Sequence, residues 1–251
     1  MDPVVGYDRG MPDTSIPASD GTSLKAYLAT PLEAGPHAAV VVIQDAFGLT
    51  RVMRDHVDRL ASYGYLSVAP DLYTRGGMLR CVRTTFRSIA SGEGQAYDDI
   101  EACRRWLLER DDCSGQVGVI GFCMGGGFAL MTANRGFDVS APNYGHLPKD
   151  LDAALSGACP VVGSYGARDR ALKGATAKLE AALAEKGIPH DVKEYPDAGH
   201  GFLEQFNVGP LAPLLRVAGM GYEAASADDA WRRIRAFFDQ HLAARERPDT
   251  N

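Results

Sequence analysis

Three residues able to carry nucleophilic chemistry, Cys123, Asp169 and His200, each follow a short apolar run in this chain. Cys123 sits in Gly121-Phe122-Cys123-Met124-Gly125-Gly126, directly after Val117-Gly118-Val119-Ile120. A β-branched run that breaks at a glycine, presents one cysteine and resumes with small residues predicts a strand, a sharp turn and a helix. In such an elbow the central residue takes a strained backbone conformation, and the flanking positions must be glycine so that neighbouring backbone can pack close. The sulfur would then stand at the carboxyl end of a strand and the start of a helix. There the orphan N–H groups and the helix dipole favour thiolate over thiol and can stabilise an oxyanion. A buried, inert cysteine beside a glycine-rich turn is the plainer reading, and the motif alone does not separate the two.

The other two residues supply the context. Asp169 lies in Gly166-Ala167-Arg168-Asp169-Arg170 after Pro160–Tyr165, and His200 lies in Pro196-Asp197-Ala198-Gly199-His200-Gly201-Phe202 after His190–Tyr195. In open α/β sheets chemistry gathers outside the carboxyl ends of the strands, which is where all three would fall. His200 would take the thiol proton or hold the thiolate as an ion pair, then activate water; Asp169 would fix the imidazole tautomer and stabilise the imidazolium. Taken singly, Asp169 could be a solvated loop charge and His200 a turn histidine; their order and placement together favour the catalytic reading. His37, His56, His146, His190 and His241 have no ligand-like pairing, so no metal and no cofactor is assigned.

The elements that must position these residues alternate along the chain. Thr14–Ala18 and Ser23–Leu28, joined through Asp20-Gly21, predict a β-hairpin, because Asp-Gly supplies the positive φ of a tight turn. Ala38–Ile43 is a continuous apolar run, the mark of a central strand covered on both faces. Arg51–Tyr63 has helical spacing and Gly64 to stop it, and Tyr65–Ala69 is the next strand. The stretch 72–93, with two adjacent glycines and four arginines, reads as an excursion over the carboxyl edge of the sheet. Helices are expected over 94–110, 124–134 and 175–186, and from about Asp228 onward. Val139–Tyr144 is expected as a short strand, and 203–225 as a long variable stretch. Alternating strands and helices imply a mostly parallel central sheet with helices on both faces.

Composition agrees with a single α/β domain over 1–251, with a loose arm over 1–12 and a tail over 245–251. The 251 residues are 45% hydrophobic and 23% charged, enough for a sizeable core. A net charge of −6 leaves no basic surplus for nucleic acid or an anionic membrane. Five scattered cysteines without a C-x-x-C pair indicate neither a disulfide framework nor a thiolate zinc site. With no signal-like N-terminus and no long apolar run, a cytoplasmic protein is expected, as a monomer or small homo-oligomer.

The chain resembles the dienelactone hydrolase family. The resemblance rests on Gly121-Phe122-Cys123-Met124-Gly125-Gly126, Gln44-Asp45-Ala46-Phe47-Gly48, Pro70-Asp71-Leu72-Tyr73 and Tyr195-Pro196-x-Ala198-Gly199-His200-Gly201-Phe202, and spans about Ser15 to Leu242. It implies an α/β-hydrolase fold without a large lid domain, and a triad of Cys123, Asp169 and His200. It also implies an oxyanion hole from the N–H groups of Ala46 and Met124, and cofactor-free cleavage of a small ester or lactone. Phe47, Phe122, Tyr144 and Phe202 are candidate pocket walls. Two positions depart from the family: Asp45 stands where glutamate is common, and Glu204 stands where dienelactone hydrolases keep an arginine for the substrate carboxylate. Arg75, Arg80 and Arg83 are candidate substitute cations, against the plainer reading of solvent-facing side chains. A thioesterase or acyl transferase with the same triad, and a non-catalytic ligand-binding member of the fold, are the competing readings. A dinucleotide-binding enzyme is disfavoured because the glycine spacing is wrong.

Overall fold

The computed structural model describes residues 13–205 and 220–243. The expected arm over 1–12, the tail over 245–251 and most of the stretch 203–225 therefore lie outside the described residues. One eight-stranded sheet organises the rest, in the order β1-β2-β4-β3-β5-β6-β7-β8. The hairpin β1 (Asp13–Pro17) and β2 (Ser23–Ala29) forms as its composition dictates, and β2 pairs antiparallel with β4 (Leu66–Pro70). Strands β3 (His37–Ile43), β4, β5 (Cys113–Phe122), β6 (Val139–Asn143), β7 (Val161–Gly166) and β8 (His190–Tyr195) are parallel to one another.

The apolar run of β3 explains why both faces are covered. Val40 and Val42 point into one core cluster, and Ala39, Val41 and Ile43 point into the other. Side chains alternate with period two along a strand, so a continuous apolar run needs partners on each side. The first cluster receives Met53, Val57 and Leu60 from α1 (Arg51–Ser62), Leu179 and Leu183 from α6 (Ala175–Glu185), and Trp231, Ile234 and Phe238 from α7 (Ala224–His241). The second receives Tyr97, Ile100, Cys103 and Leu107 from α3 (Gln95–Leu108) and Phe128 from α4 (Met124–Thr132). Each fully buried valine or leucine contributes about 1.5–3 kcal/mol, and this double layer keeps the strand ends in register around the site.

Three elements differ from the sequence expectation. Met78–Ser91, inside the expected excursion, is a fourteen-residue helix, α2. Its stripe was hidden because two of its inward positions are Thr85 and Ser88, while Leu79 is 88% exposed. Those hydroxyls donate to backbone carbonyls one turn earlier, Thr85 to Cys81 and Ser88 to Thr84, so they are buried without an outside partner. A single-turn helix, α5 (Leu151–Ala154), follows Asp150, whose carboxylate accepts the Ala153 N–H. Helix α7 starts four residues before Asp228, because Glu223 caps it by accepting the N–H groups of Ala225 and Ser226. Among the described residues no helix is long and apolar enough to cross a membrane.

Candidate active site

The elbow is built by backbone crowding. A Cβ on Gly121 would stand 1.9 Å from the Gly125 carbonyl oxygen, and one on Gly125 would stand 2.2 Å from that of Ile43. Only hydrogen fits at either place, which is why strand β5 can turn directly into helix α4. Between them Cys123 has φ 54° and ψ −113°, a conformation that a side chain rarely adopts. The Cys123 N–H donates to Asn143 at 3.1 Å, and its carbonyl accepts from Gly126 and Gly127, so the strained residue is held on both sides. Met124 is the first residue of α4, and its N–H is one that a helix cannot satisfy internally.

Strands β7 and β8 bring the other two residues to the same edge. Asp169 follows β7 and is 5% exposed; its Oδ1 accepts the Ala171 N–H at 3.0 Å. Its Oδ2 lies 2.6 Å from His200 Nδ1. Cys123 is the other neighbouring group that acts on the charge of His200. Burial works against a charge on the imidazole, yet the hydrogen bonds with Asp169 and Cys123 outweigh it and raise His200 to about 10. Burial also pushes Asp169 upward, but the bond from His200 prevails and holds its carboxyl below the ordinary range. The three residues singled out in the sequence are thus brought into one chain of contacts, acid to imidazole to sulfur.

The positions around the sulfur are more acidic than a pocket for an anion should be. Asp45 and Glu204 are 1% and 2% exposed. Asp45 Oδ1 accepts the Phe47 N–H at 2.8 Å, while its Oδ2 and Glu204 Oε1 have no N–H or hydroxyl partner. Each of the two carboxyls acts on the ionisation of the other, so they lie close together, and two such groups held out of water cannot both be ionised. Burial first, then the Asp45 and Cys123 charges, push Glu204 well above the usual carboxylate range. Burial raises Asp45 as well, against the hydrogen bonds it accepts. Tyr144, with φ 37° and no exposed surface, places its hydroxyl among Glu204, Cys123 and Asp45.

The candidate walls separate into two groups. Tyr144 meets the His200 ring edge-on at 5.3 Å, and Phe202 packs on Tyr144 at 5.6 Å, which puts both beside the imidazole. Phe47 is 62% exposed at its rim. Phe122 is fully buried; its ring stacks on His56 at 4.3 Å, supporting the elbow, and lies 6.4 Å from that of Tyr144. Arg75 is engaged by Asp20 and Asp99, and Arg80 and Arg83 are exposed on α2. Tyr73 was overlooked as a positioning residue; its hydroxyl donates to the Ala46 carbonyl at 3.0 Å and pins the loop after β3. The Pro70-Asp71-Leu72-Tyr73 stretch was the available signal. Among the described residues, no cluster of three or more His, Cys, Asp or Glu side chains is placed to hold a metal ion.

Comparison with known proteins agrees with this fold. The model of the "Dienelactone hydrolase family" matches residues 24–242. A protein of Azospirillum brasilense provisionally named carboxymethylenebutenolidase is 32% identical, over 92% of this chain and 100% of that one. One from Methylorubrum extorquens with the same provisional name is 30% identical, over 92% of this chain and 81% of its own. Among solved structures, a provisionally named dienelactone hydrolase from Klebsiella pneumoniae matches with a TM-score of 0.75 at 29% identity, over 91% of this chain and 97% of that one. A dienelactone hydrolase-like promiscuous phosphotriesterase from metagenomic libraries shares the fold, with a TM-score of 0.76 at 22% identity over 91% and 98% of the two chains.

Proposed function

The chain belongs to the dienelactone hydrolase family and is a hydrolase of esters or lactones, and from that premise we propose that it works through an acyl-cysteine intermediate on Cys123. The observation that carries this reading is the 2.6 Å contact from Asp169 to His200, whose imidazole is raised by Asp169 together with the neighbouring Cys123 at the elbow. The Cys123 thiolate adds to the substrate carbonyl carbon, and the carbonyl electron pair moves onto oxygen. The N–H groups of Ala46 and Met124 receive that oxyanion, each worth about 3 kcal/mol in a site of this kind. Collapse of the adduct expels the alkoxide, which takes the proton from His200 Nε2 and leaves a thioester. Neutral His200 then removes a proton from water, the hydroxide adds to the thioester, and collapse returns thiolate and imidazolium with release of the acid. In a lactone the alcohol and acid remain one molecule.

A thiolate leaves more readily than an amide anion, so the adduct of an amide falls back to reactants, and the site is suited to esters rather than peptides. The test is release of p-nitrophenol from short acyl esters by the wild type and by Cys123→Ala, followed by a panel of lactones. Loss of turnover in a folded Cys123→Ala protein is expected. A variant that keeps most of its activity overturns the nucleophile assignment.

A further inference from the structure

Besides Asp169, the site contains two buried carboxyl groups, Asp45 and Glu204, with no arginine or lysine paired with either among the described residues. The titratable groups that face Asp45 and Glu204 are each other, Cys123, Tyr144, His200 and, toward Asp45, Tyr73. His200 is already committed to Asp169 and the sulfur. Two carboxylates packed together out of water cannot both stay ionised. The proton belongs on Glu204, because Asp45 has the Phe47 N–H at 2.8 Å to support a charge, whereas Glu204 faces the Asp45 and Cys123 charges with only the Tyr144 hydroxyl nearby and has its Oε1 buried without a hydrogen-bond partner.

We propose that Glu204 stands in the site as a neutral carboxylic acid that donates to the Asp45 carboxylate, and that this pair fixes Asp45 beside the sulfur and makes the enzyme select uncharged esters and lactones. Glu204 acts here as a positioning residue, through Asp45. The pair carries one negative charge where an anionic acyl group would need a cation, so such a group is repelled while a neutral one is not. Above the pH at which Glu204 loses its proton, a second charge appears in the same dry space and Asp45 is driven out of place. Activity therefore falls on the alkaline side for a reason that involves neither Cys123 nor His200.

This inference rests on the cysteine hydrolase reading, and its test keeps the two apart. The probes are p-nitrophenyl butyrate and the mono-p-nitrophenyl ester of succinate, whose leaving group departs without a proton, so that acylation needs no acid from His200. The wild type is expected to prefer the neutral ester by at least about tenfold in kcat/KM. Glu204→Ala lowers turnover of the neutral ester, and Glu204→Gln, which keeps a donor and no charge, restores most of that loss and removes the alkaline fall. Because Glu204 is already neutral, Glu204→Gln leaves the ratio between the two esters in place, whereas Glu204→Arg shifts it toward the anion by about tenfold or more. A gain of that size with Glu204→Gln, or a wild type that takes both esters equally, overturns the proposal. Carbon-13 NMR of glutamate-labelled wild type reads the same proton without a substitution: one glutamate carboxyl must remain in the acid form at neutral pH. Absence of Cys123-dependent turnover would instead defeat the hydrolase mechanism, while the NMR result would still decide the state of Glu204.

Discussion

Asp169 Oδ2 and His200 Nδ1 meet at 2.6 Å, although thirty-one positions separate them in the chain. That contact decides which imidazole nitrogen faces the sulfur, since a proton on Nδ1 pointed at a carboxylate leaves Nε2 for Cys123. It also sets how readily the imidazole holds a charge, because the bond from Asp169 is the largest influence raising His200 against its burial.

The substitution Asp169→Asn should therefore act through His200 and not through binding. An amide cannot stabilise the imidazolium, so kcat is expected to fall about a thousandfold with little change in KM. Alkylation of Cys123 by iodoacetamide at neutral pH should slow in parallel, because a weaker imidazolium supports less thiolate. Equal alkylation rates in the variant and the wild type would show that Asp169 is not what holds the pair together.

The elbow and the Asp169–His200 contact were legible because such geometry forces particular residues into fixed places. Gly121 and Gly125 are demanded by backbone within 2.2 Å of the Cβ positions they lack, and few other contexts require glycine on both sides of a cysteine. The valines of β3 likewise announce a strand covered on both faces. Helix α2 was not legible, since Thr85 and Ser88 are inward-facing residues that satisfy themselves on their own helix. The stacking of Phe122 on His56 was not legible for a related reason: proximity to Cys123 in sequence says nothing about which rings it meets. Glu204 was legible as a departure, but its pairing with Asp45 depends on two loops, after β3 and after β8, that only the folded sheet brings together.

Arg75 has a structural role that its sequence neighbourhood obscured. Its Nη1 lies 2.6 Å from Asp99 Oδ2 on α3, and its Nη2 lies 3.0 Å from Asp20 Oδ1 in the hairpin turn, so one guanidinium ties the first two strands to the helix layer. Asp99 is 1% exposed, and burial raises its carboxyl even against the bonds from Arg75 and Gln95. Replacing Arg75 by methionine removes the main compensation for that buried charge and should cost about 3 kcal/mol, read from urea unfolding midpoints. Adding Asp99→Asn should recover much of the loss, because the pair is then gone and no orphan charge remains. The preference between neutral and anionic esters should be unchanged by Arg75→Met. A selective loss of the anionic ester would place Arg75 in the binding site after all.

His56 links acid stability to the support of the nucleophile. It is 5% exposed, stacks on Phe122 at 4.3 Å with an interplanar angle of 19°, and has its Nε2 buried without a partner. Burial, with a smaller contribution from Arg59, pushes it down to about 3 from an ordinary value of 6.5. As pH falls below 6.5 the unfolded chain takes up this proton while the folded chain does not, so the contribution is fully present above 6.5 and is lost progressively toward about 3. The slope is about 1.4 kcal/mol per pH unit, or about 2 kcal/mol between pH 6.5 and 5. Replacement by phenylalanine keeps a ring on Phe122 and removes the titration, so the gap in stability between wild type and His56→Phe should close or reverse by that amount over the same range. Urea midpoints measured at several pH values give the difference directly, and the contributions of other carboxyls and histidines cancel in it. Parallel curves for the two proteins would mean that His56 charges as readily in the folded state as in the unfolded one. In that case burial between Phe122 and Trp231 would not be what keeps the imidazole neutral behind the elbow.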